Sequence, residues 1–264
     1  MRVPRSQARS CHAAWRSKST AFSRLAEAFE PSDFVYAHRG LWTKDGLTEN
    51  TLEALLAAAD AGLGIEFDVR PAADGVPIIF HDPTLDRMTD RTGPVAGLTS
   101  LELIATALNG GGEIVTLETL LSAWPRKTPL LCELKIDGLT DPNRFAQHVG
   151  AMLMDYDGPA AAMSFYPAAV RALPEGLMRG QLIVQTSMSG AQDPSAIAPG
   201  SVDYLACHIS DADHPSLQTA RKDKPLLTWT VTDEATCRAL APRTDSQIFE
   251  GFDPALAKRH ILNT

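Results

Sequence analysis

Short apolar runs alternate along the chain with segments whose apolar residues recur at helical spacing. Nine runs have strand character, at residues 34–37, 64–69, 77–80, 129–134, 161–165, 181–185, 204–209, 226–231 and 246–249. This alternation is typical of an α/β protein with a parallel sheet. About eight strand and helix pairs in roughly 230 residues favour a closed (β/α)8 barrel of the TIM type over an open, doubly wound sheet. The chain also lacks a glycine-rich dinucleotide or phosphate loop, which weakens the open-sheet alternative.

Capping signals fix the starts of several predicted helices. We expect helices at residues 51–61, 100–108, 116–123 and 142–155. Thr99 and Glu102 have the spacing of a capping box, and Asp141 is a candidate N-cap for the fourth helix.

The composition of the chain excludes several classes of protein. The chain has 264 residues, 44% of them apolar, which is enough for one globular domain with a sizeable core. Its 24 basic and 32 acidic residues give a net charge of −8, which argues against nucleic-acid binding. No stretch approaches the ~20 apolar residues of a membrane span. The widely spaced cysteines predict free thiols in a reducing compartment, and hence a cytoplasmic protein; they are Cys11, Cys132, Cys207 and Cys237.

The first residues differ in charge from the rest. Residues 1–26 contain six basic residues and no acidic one, without the apolar core of a secretory signal. Phe22, Leu25 and Phe29 have helical spacing and predict a short amphipathic helix around 20–29. We therefore expect a basic leader at 1–33 before a barrel at 34–264. A leader packed on the body, a loose leader and a leader in contact with a membrane surface stay open.

Chemistry-bearing residues lie at the ends of the first strands. The first strand ends in His38-Arg39-Gly40, at the edge where TIM barrels carry their active sites. In the second strand, Glu66 and Asp68 share one face because side chains alternate with a period of two. Two adjacent carboxylates in an apolar strand are typical of a site for a hard divalent cation, although a single buried acid is often structural.

A predicted hairpin brings in a second histidine. Asp74-Gly75 is a strong signal for a two-residue turn, and counting along both arms places His81 opposite Asp68. Pro77 has no N–H to donate across the hairpin, so a register shifted by one residue stays open. Two histidines beside a carboxylate pair suit a general acid and base.

A third strand adds Glu133 and Lys135, again on one face. The two residues are either a self-contained structural ion pair, or a third metal ligand and a binder of a substrate anion alongside Arg39. The second interpretation points to metal-assisted transfer at a phosphate ester.

These motifs together resemble the glycerophosphodiester phosphodiesterase family. The resemblance runs from residue 34 towards the C-terminus and becomes weaker after Lys135. It is carried by His38-Arg39-Gly40, Glu49-Asn50-Thr51, Glu66-Phe67-Asp68-Val69, Asp74-Gly75, His81-Asp82, Leu85-Asp86-Arg87 with Thr89, Thr116-Leu117-Glu118 and Glu133-Leu134-Lys135.

The resemblance implies a TIM-type barrel with a short inserted region at about 83–115. It also implies hydrolysis of small glycerophosphodiesters to glycerol 3-phosphate and an alcohol, with Mg²⁺ or Ca²⁺ as the cofactor. The residues that carry over are the metal ligands Glu66, Asp68 and Glu133, the acid/base pair His38 and His81, the phosphate-binding Arg39 and Lys135, the orienting Asn50 and the alcohol-pocket wall Trp229.

The sequence differs from the family pattern at one place, and two alternative functions stay open. Many relatives have a Thr-Asp pair after the last strand, where this chain has Glu250, so the fit of the head group is in question at that rim. A lysophospholipase D-like or phospholipase C-like enzyme at a membrane surface is one alternative, supported by the basic leader. A non-catalytic binding barrel is the other, and it predicts loss of some acid or histidine positions.

Overall fold

The computed structural model describes residues 29–138, 140–184 and 202–262. Apart from Phe29, the predicted amphipathic helix lies outside these residues, as does Cys11. Phe29 packs against the core inside the barrel, and the Tyr36 hydroxyl donates to the carbonyl of Pro31 at 3.0 Å. The segment before the first strand thus covers one end of the barrel.

Eight parallel strands close into a barrel, with one antiparallel strand beside the second. The first strand pairs with both the second and the last, which closes the ring. The predicted TIM-type barrel is confirmed. The strands are β1 (Tyr36–His38), β2 (Gly64–Pro71), the antiparallel β3 (Pro77–Ile79), β4 (Leu130–Leu134), β5 (Ala160–Ser164), β6 (Met178–Ile183), β7 (Tyr204–His208), β8 (Leu226–Val231) and β9 (Ser246–Phe249).

Helices pack around the ring, and the predicted caps are present. Thr99 and Glu102 form the capping box, and the Asp141 carboxylate accepts from two N–H groups of the fourth helix. The helices are α1 (Leu52–Asp60), α2 (Ser100–Ile104), α3 (Leu117–Ala123), α4 (Pro142–Asp155), α5 (Pro167–Ala172), α6 (Pro215–Ala220), α7 (Glu234–Leu240) and α8 (Pro254–Ile261). No helix among the described residues combines the length and apolar character needed to cross a membrane.

Helix α2 is shorter than the sequence predicts. It ends at Ile104 because the following residues pair as short antiparallel bridges, Ala107 with Glu113 and Leu108 with Thr89. These bridges lie within residues 83–115, the predicted insertion, which we call the inserted region. Its residue Leu85 belongs to a hydrophobic cluster that also contains Ile78 and Phe80 of the β2–β3 hairpin.

The β2–β3 hairpin has a register one residue away from the predicted one. Val69 lies opposite Ile79, and the N–H of Phe80 donates to the carbonyl of Asp68 at 3.0 Å. Phe80 therefore lies opposite Asp68, and the predicted pairing of His81 with Asp68 is wrong.

The length of the turn explains the difference. The N–H of Ala72 donates to the carbonyl of Val76 at 2.9 Å, so the turn holds three residues, 73–75, and not two. Gly75 has φ +82°, and three-residue hairpin loops place a glycine in this left-handed conformation. His81 consequently lies beyond the end of β3, where loop contacts set its direction.

Candidate active site

Inward-facing positions of β1, β2 and β4 carry the polar residues of the barrel mouth. Tyr36 and Leu131 belong to the core inside the barrel. His38 and Glu133 each lie two residues further along the same strands, so their side chains face the same way. The apolar interior thus ends in a layer of ionisable side chains.

Three buried carboxylates converge in this layer, which we call the acidic triad: Glu66, Asp68 and Glu133. One oxygen from each lies within 4.8 Å of the others. Oε2 of Glu66 is buried and has no hydrogen-bond partner in the described part of the chain. Such an oxygen costs free energy that a cation would offset, and Mg²⁺ and Ca²⁺ prefer oxygen ligands. The triad therefore fits a divalent metal ion.

Burial and mutual repulsion set the charges of the triad. Burial raises the pKa of Glu66 well above its ordinary value, and the neighbouring Asp68 and Glu133 raise it further. Burial also opposes ionisation of Asp68, but Lys135 and Arg39 hold the pKa of that carboxyl far below its usual range. Burial raises the pKa of Glu133, with Lys135 acting in the opposite direction. Positive charge from Lys135 and Arg39 therefore keeps Asp68 ionised, whereas burial opposes ionisation of the two glutamates.

The two predicted anion binders lie against the triad. Lys135 Nζ is 2.7 Å from Glu133 Oε1 and 3.0 Å from Asp68 Oδ1. Arg39 Nε is 3.1 Å from Asp68 Oδ2, and its Nη1 donates to Glu49 Oε1 at 2.8 Å. Burial lowers the pKa of Lys135, but the carboxylates of Asp68 and Glu133 raise it by more. Both cations therefore stay charged beside the triad.

Arg39 and Asn50 both adopt a left-handed backbone conformation. Arg39 has φ +57° and Asn50 has φ +59°, a conformation that costs about 1–3 kcal/mol for residues other than glycine. The Asn50 N–H donates to the carbonyl of Arg39 at 3.0 Å, and its side-chain amide donates to Asp68 Oδ2 at 2.8 Å. The loop from β1 to α1 is thus tied to the triad.

Gly40 allows the same loop to approach helix α1. A Cβ at this position would lie 2.5 Å from the carbonyl carbon of Ala54, and the φ of Gly40 is +87°. The third residue of the His38-Arg39-Gly40 motif is therefore required by the backbone, whereas the first two supply side chains to the site.

A carboxylate from the opposite end of the chain contacts the first histidine. Nδ1 of His38 is 2.6 Å from Glu250 Oε2, and its Nε2 is 3.7 Å from Glu66 Oε2. Because a carboxylate only accepts, Nδ1 carries a proton and Nε2 faces the triad. The residue that departs from the family pattern is thus the partner of His38.

The second histidine has a carboxylate partner of its own. Nδ1 of His81 is 2.6 Å from Asp82 Oδ1, which again leaves Nε2 for proton exchange, and Arg70 Nε donates to the His81 carbonyl at 2.7 Å. Burial lowers the pKa of His81, although Asp68 acts in the opposite direction. Burial of His81 therefore favours its neutral imidazole over the imidazolium.

Two residues of the site had no role in the sequence interpretation. Glu49 is 7% exposed and accepts from both Arg39 and Arg87. Arg87 also donates to Asp82. Both residues lie in the motifs that carry the family resemblance, which is the signal that could have found them.

Trp229 lies on another part of the barrel mouth. Its ring makes edge contacts with Phe165, at 5.4 Å between centroids, and with His208, at 5.2 Å. Its Nε1 donates to the carbonyl of Ala206 at 3.2 Å. These three rings from β5, β7 and β8 and the turns that follow them form what we call the aromatic wall.

The sequence of this chain is similar to those of known phosphodiesterases. It matches the model of the Glycerophosphoryl diester phosphodiesterase family over residues 38–244. Glycerophosphodiester phosphodiesterase 1 of Bos taurus is 43% identical over 79 residues, which are 29% of this chain and 23% of that protein. The match thus spans less than a quarter of the length of this curated relative.

Solved structures resemble almost the whole fold. A glycerophosphodiester phosphodiesterase from Parabacteroides distasonis superposes with a TM-score of 0.72 at 23% identity, covering 87% of this chain and 97% of that one. A phosphodiesterase from Oleispira antarctica, solved in complex with the product sn-glycerol-3-phosphate, has a TM-score of 0.68 at 26% identity, with 86% and 96% covered. The first likeness concerns the fold alone.

Proposed function

This chain belongs to the glycerophosphoryl diester phosphodiesterase family, and from that premise we propose that it hydrolyses glycerophosphodiesters to glycerol 3-phosphate and an alcohol. One observation carries the proposal. Two imidazoles, each with its Nδ1 on a carboxylate, lie at the barrel mouth that holds a buried acidic triad. The Oleispira antarctica relative with its bound sn-glycerol-3-phosphate supports the same chemistry.

The acidic triad is our candidate for the metal ligands. Glu66, Asp68 and Glu133 would hold Mg²⁺ or Ca²⁺, which, when bound, polarises a phosphoryl oxygen and offsets its charge. The unpartnered oxygen of Glu66 supports this assignment.

Arg39 and Lys135 are our candidates for binding the phosphodiester. Both side chains are largely buried beside the triad and carry donors that form charge-assisted hydrogen bonds to phosphoryl oxygens. Asn50 is assigned an orienting role because its amide fixes Asp68, the carboxylate that both cations contact.

The two histidines would move the protons. One imidazole, neutral and with Nε2 unprotonated, accepts the proton of the attacking oxygen. The other, protonated at both ring nitrogens, donates its Nε2 proton to the leaving alkoxide as its bond to phosphorus breaks. The contacts of His38 with Glu250 and of His81 with Asp82 support this role, since each fixes the tautomer that presents Nε2.

The aromatic wall is our candidate for contact with the leaving alcohol. Trp229 and Phe165 pack on the core inside the barrel, at the same mouth as the triad. Aromatic faces attract quaternary ammonium groups, so a choline head group suits this wall.

Release of glycerol 3-phosphate from glycerophosphocholine tests the proposal. Protein stripped with EDTA should be inactive, and adding Mg²⁺ or Ca²⁺ should restore release. The matched control is Glu66→Gln, which keeps the shape of the site but replaces an anionic ligand oxygen with a neutral, weaker one. Folded protein that releases nothing with either ion would contradict the proposal and favour a non-catalytic barrel.

A phospholipase acting at a membrane surface is a second candidate, supported by the six basic residues of 1–26. Co-sedimentation with anionic vesicles compares the whole chain with a variant that begins at residue 29. The deletion ends there because Phe29 packs against the barrel. Binding that needs the leader, together with release from lysophospholipids, would support this candidate, and equal sedimentation of both proteins would count against it.

A further inference from the structure

We propose that Arg87 is a positioning residue that ties the inserted region to His81 and to Arg39. The inference rests on the proposed function, because it concerns the same acid/base and phosphate-binding groups. Arg87 acts through the carboxylates of Glu49 and Asp82, to which its guanidinium donates.

The Arg87 guanidinium holds two carboxylates at once. Its Nη1 and Nη2 donate to the two oxygens of Glu49 at 2.9 and 2.7 Å. Its Nε donates to Asp82 Oδ2 at 2.6 Å, and Nη2 also reaches Asp82 Oδ1 at 3.1 Å. Two-pronged contacts of this kind fix orientation as well as distance, which a lysine ammonium cannot do.

Each of these carboxylates holds one residue of the proposed machinery. Asp82 Oδ1 is 2.6 Å from His81 Nδ1, and Glu49 Oε1 is 2.8 Å from Arg39 Nη1. Arg87 is thus the link between the histidine and the guanidinium that lies on the triad.

Electrostatics supports the need for this link. Burial raises the pKa of both Glu49 and Asp82, and the hydrogen bond from Arg87 is the largest influence that lowers it again. Without Arg87, two neighbouring negative charges would lose their shared cation, and Asp82 would lose the contact that fixes its oxygens.

The inserted region holds Arg87 by its backbone. Leu85 is fully buried in the hydrophobic cluster that the inserted region shares with the β2–β3 hairpin, and its carbonyl accepts from the N–H groups of Met88 and Thr89 at 3.2 and 3.0 Å. The turn that carries Arg87 is therefore anchored on both sides. The inserted region thus contributes to the reaction without entering the barrel.

The test compares Arg87→Ala with Arg91→Ala in the metal-loaded, full-length protein. Arg91 lies in the same inserted region, but its guanidinium donates to Thr106. Arg87→Ala should lower kcat for glycerophosphocholine by roughly ten- to a hundredfold, part of the general acid/base contribution. Arg91→Ala should stay within about twofold of the unsubstituted protein, as for an exposed contact. Arg87→Lys should recover only part of the loss, because it restores the charge but not the fork.

Two further readouts separate positioning from a general loss of structure. Added guanidinium chloride at millimolar concentration should restore activity to Arg87→Ala, whereas NaCl should not. Combined with Asp82→Ala, the substitution should cost less than the product of the two single losses, because both act on His81. Unchanged kcat in Arg87→Ala, or fully multiplicative losses without rescue, would overturn the inference.

An NMR measurement keeps this inference distinct from the proposed activity. The His81 Nδ1 proton, in a short hydrogen bond to Asp82, is assigned by the loss of its resonance in His81→Ala. Arg87→Ala should shift or broaden this resonance and Arg91→Ala should leave it unchanged, whatever the substrate. An unsubstituted protein without diesterase activity would contradict the proposed function alone, whereas an unaltered resonance in Arg87→Ala would contradict the positioning role.

Discussion

The two halves of the barrel mouth carry different kinds of side chain. On one half, which we call the charged half, β1, β2, β4 and the turn after β9 bring buried ionisable groups into contact, including a triad whose oxygens lie within 4.8 Å of one another. On the other half, β5, β7 and β8 contribute the aromatic wall, in which rings meet edge to face and one indole N–H bonds to a backbone carbonyl.

The two halves differ in how accurately their side chains must be positioned. Buried charges are favourable only when each one is paired, so every member of the charged half depends on its neighbours. Packed rings depend mainly on area and shape, and one of them can be truncated without leaving a charge unpaired. We therefore expect substitutions in the charged half to act on turnover, and substitutions in the aromatic wall to act on substrate preference.

The largest expected effect is that of Glu66→Gln in the charged half. Replacing an anionic metal ligand with a neutral amide should lower kcat by about 10³-fold or more, since metal stabilisation of the reacting phosphate is worth several kcal/mol. The metal-free variant should nevertheless unfold at the same or a higher temperature, because burial and two carboxylates already raise the pKa of Glu66. Steady-state kinetics and thermal unfolding with EDTA check both parts; a large drop in the midpoint would contradict the second.

A second test compares two histidines across the mouth. His81→Ala should lower kcat by roughly 10² or more at unchanged fold, as expected for loss of a general acid or base. His208→Ala, in the aromatic wall, is the matched control and should change kcat by less than about tenfold, the scale of one aromatic contact. Equal losses in kcat would remove the distinction between the two halves.

A smaller effect is expected from Trp229→Ala. The variant should raise KM for glycerophosphocholine by roughly tenfold, because a cation–π contact contributes about 1–2 kcal/mol when desolvated. Glycerophosphoethanol, which has no cationic head group, should show a smaller change in KM. A matching rise for both substrates would argue against recognition of choline by the wall.

The smallest expected effect is a shift in titration. Burial lowers the pKa of His81 from its ordinary value of about 6.5. The unfolded chain then binds more protons than the folded one between the two pKa values, so this residue adds stability as the pH rises through that window and contributes fully above about pH 6.5. NMR titration of the His81 ring should give a midpoint below 6.5, and a midpoint above it would contradict the assignment.

Much of the candidate site was readable from local patterns. The period of two in β2 placed Glu66 and Asp68 on one face, and the triad confirms that they converge. The capping residues Thr99 and Asp141 act where the sequence predicts them. Neighbouring residues along the chain determine such features, so a single sequence contains the information.

The hairpin shows where local reasoning stops. The dipeptide Asp74-Gly75 correctly predicts a turn, but whether the turn holds two or three residues depends on the contacts around it. The N–H of Ala73 donates to the carbonyl of Leu98 in the inserted region at 2.8 Å. That contact joins the turn to a segment more than twenty residues away, and the register of His81 follows from the longer turn.

By itself, then, the sequence predicted the alternation of strands and helices in the barrel, the shared face of the two carboxylates in β2 and the choice of His38 and His81 as candidate acid and base. These follow from periodicity and motif spacing, which are properties of the chain. The tertiary structure decided which partners these residues have. Closure of the barrel brings Glu250 to His38 across 212 residues, and packing of the inserted region brings Arg87 to Glu49 across 38. Pairings of this length depend on how the whole ring closes, and no local pattern records them.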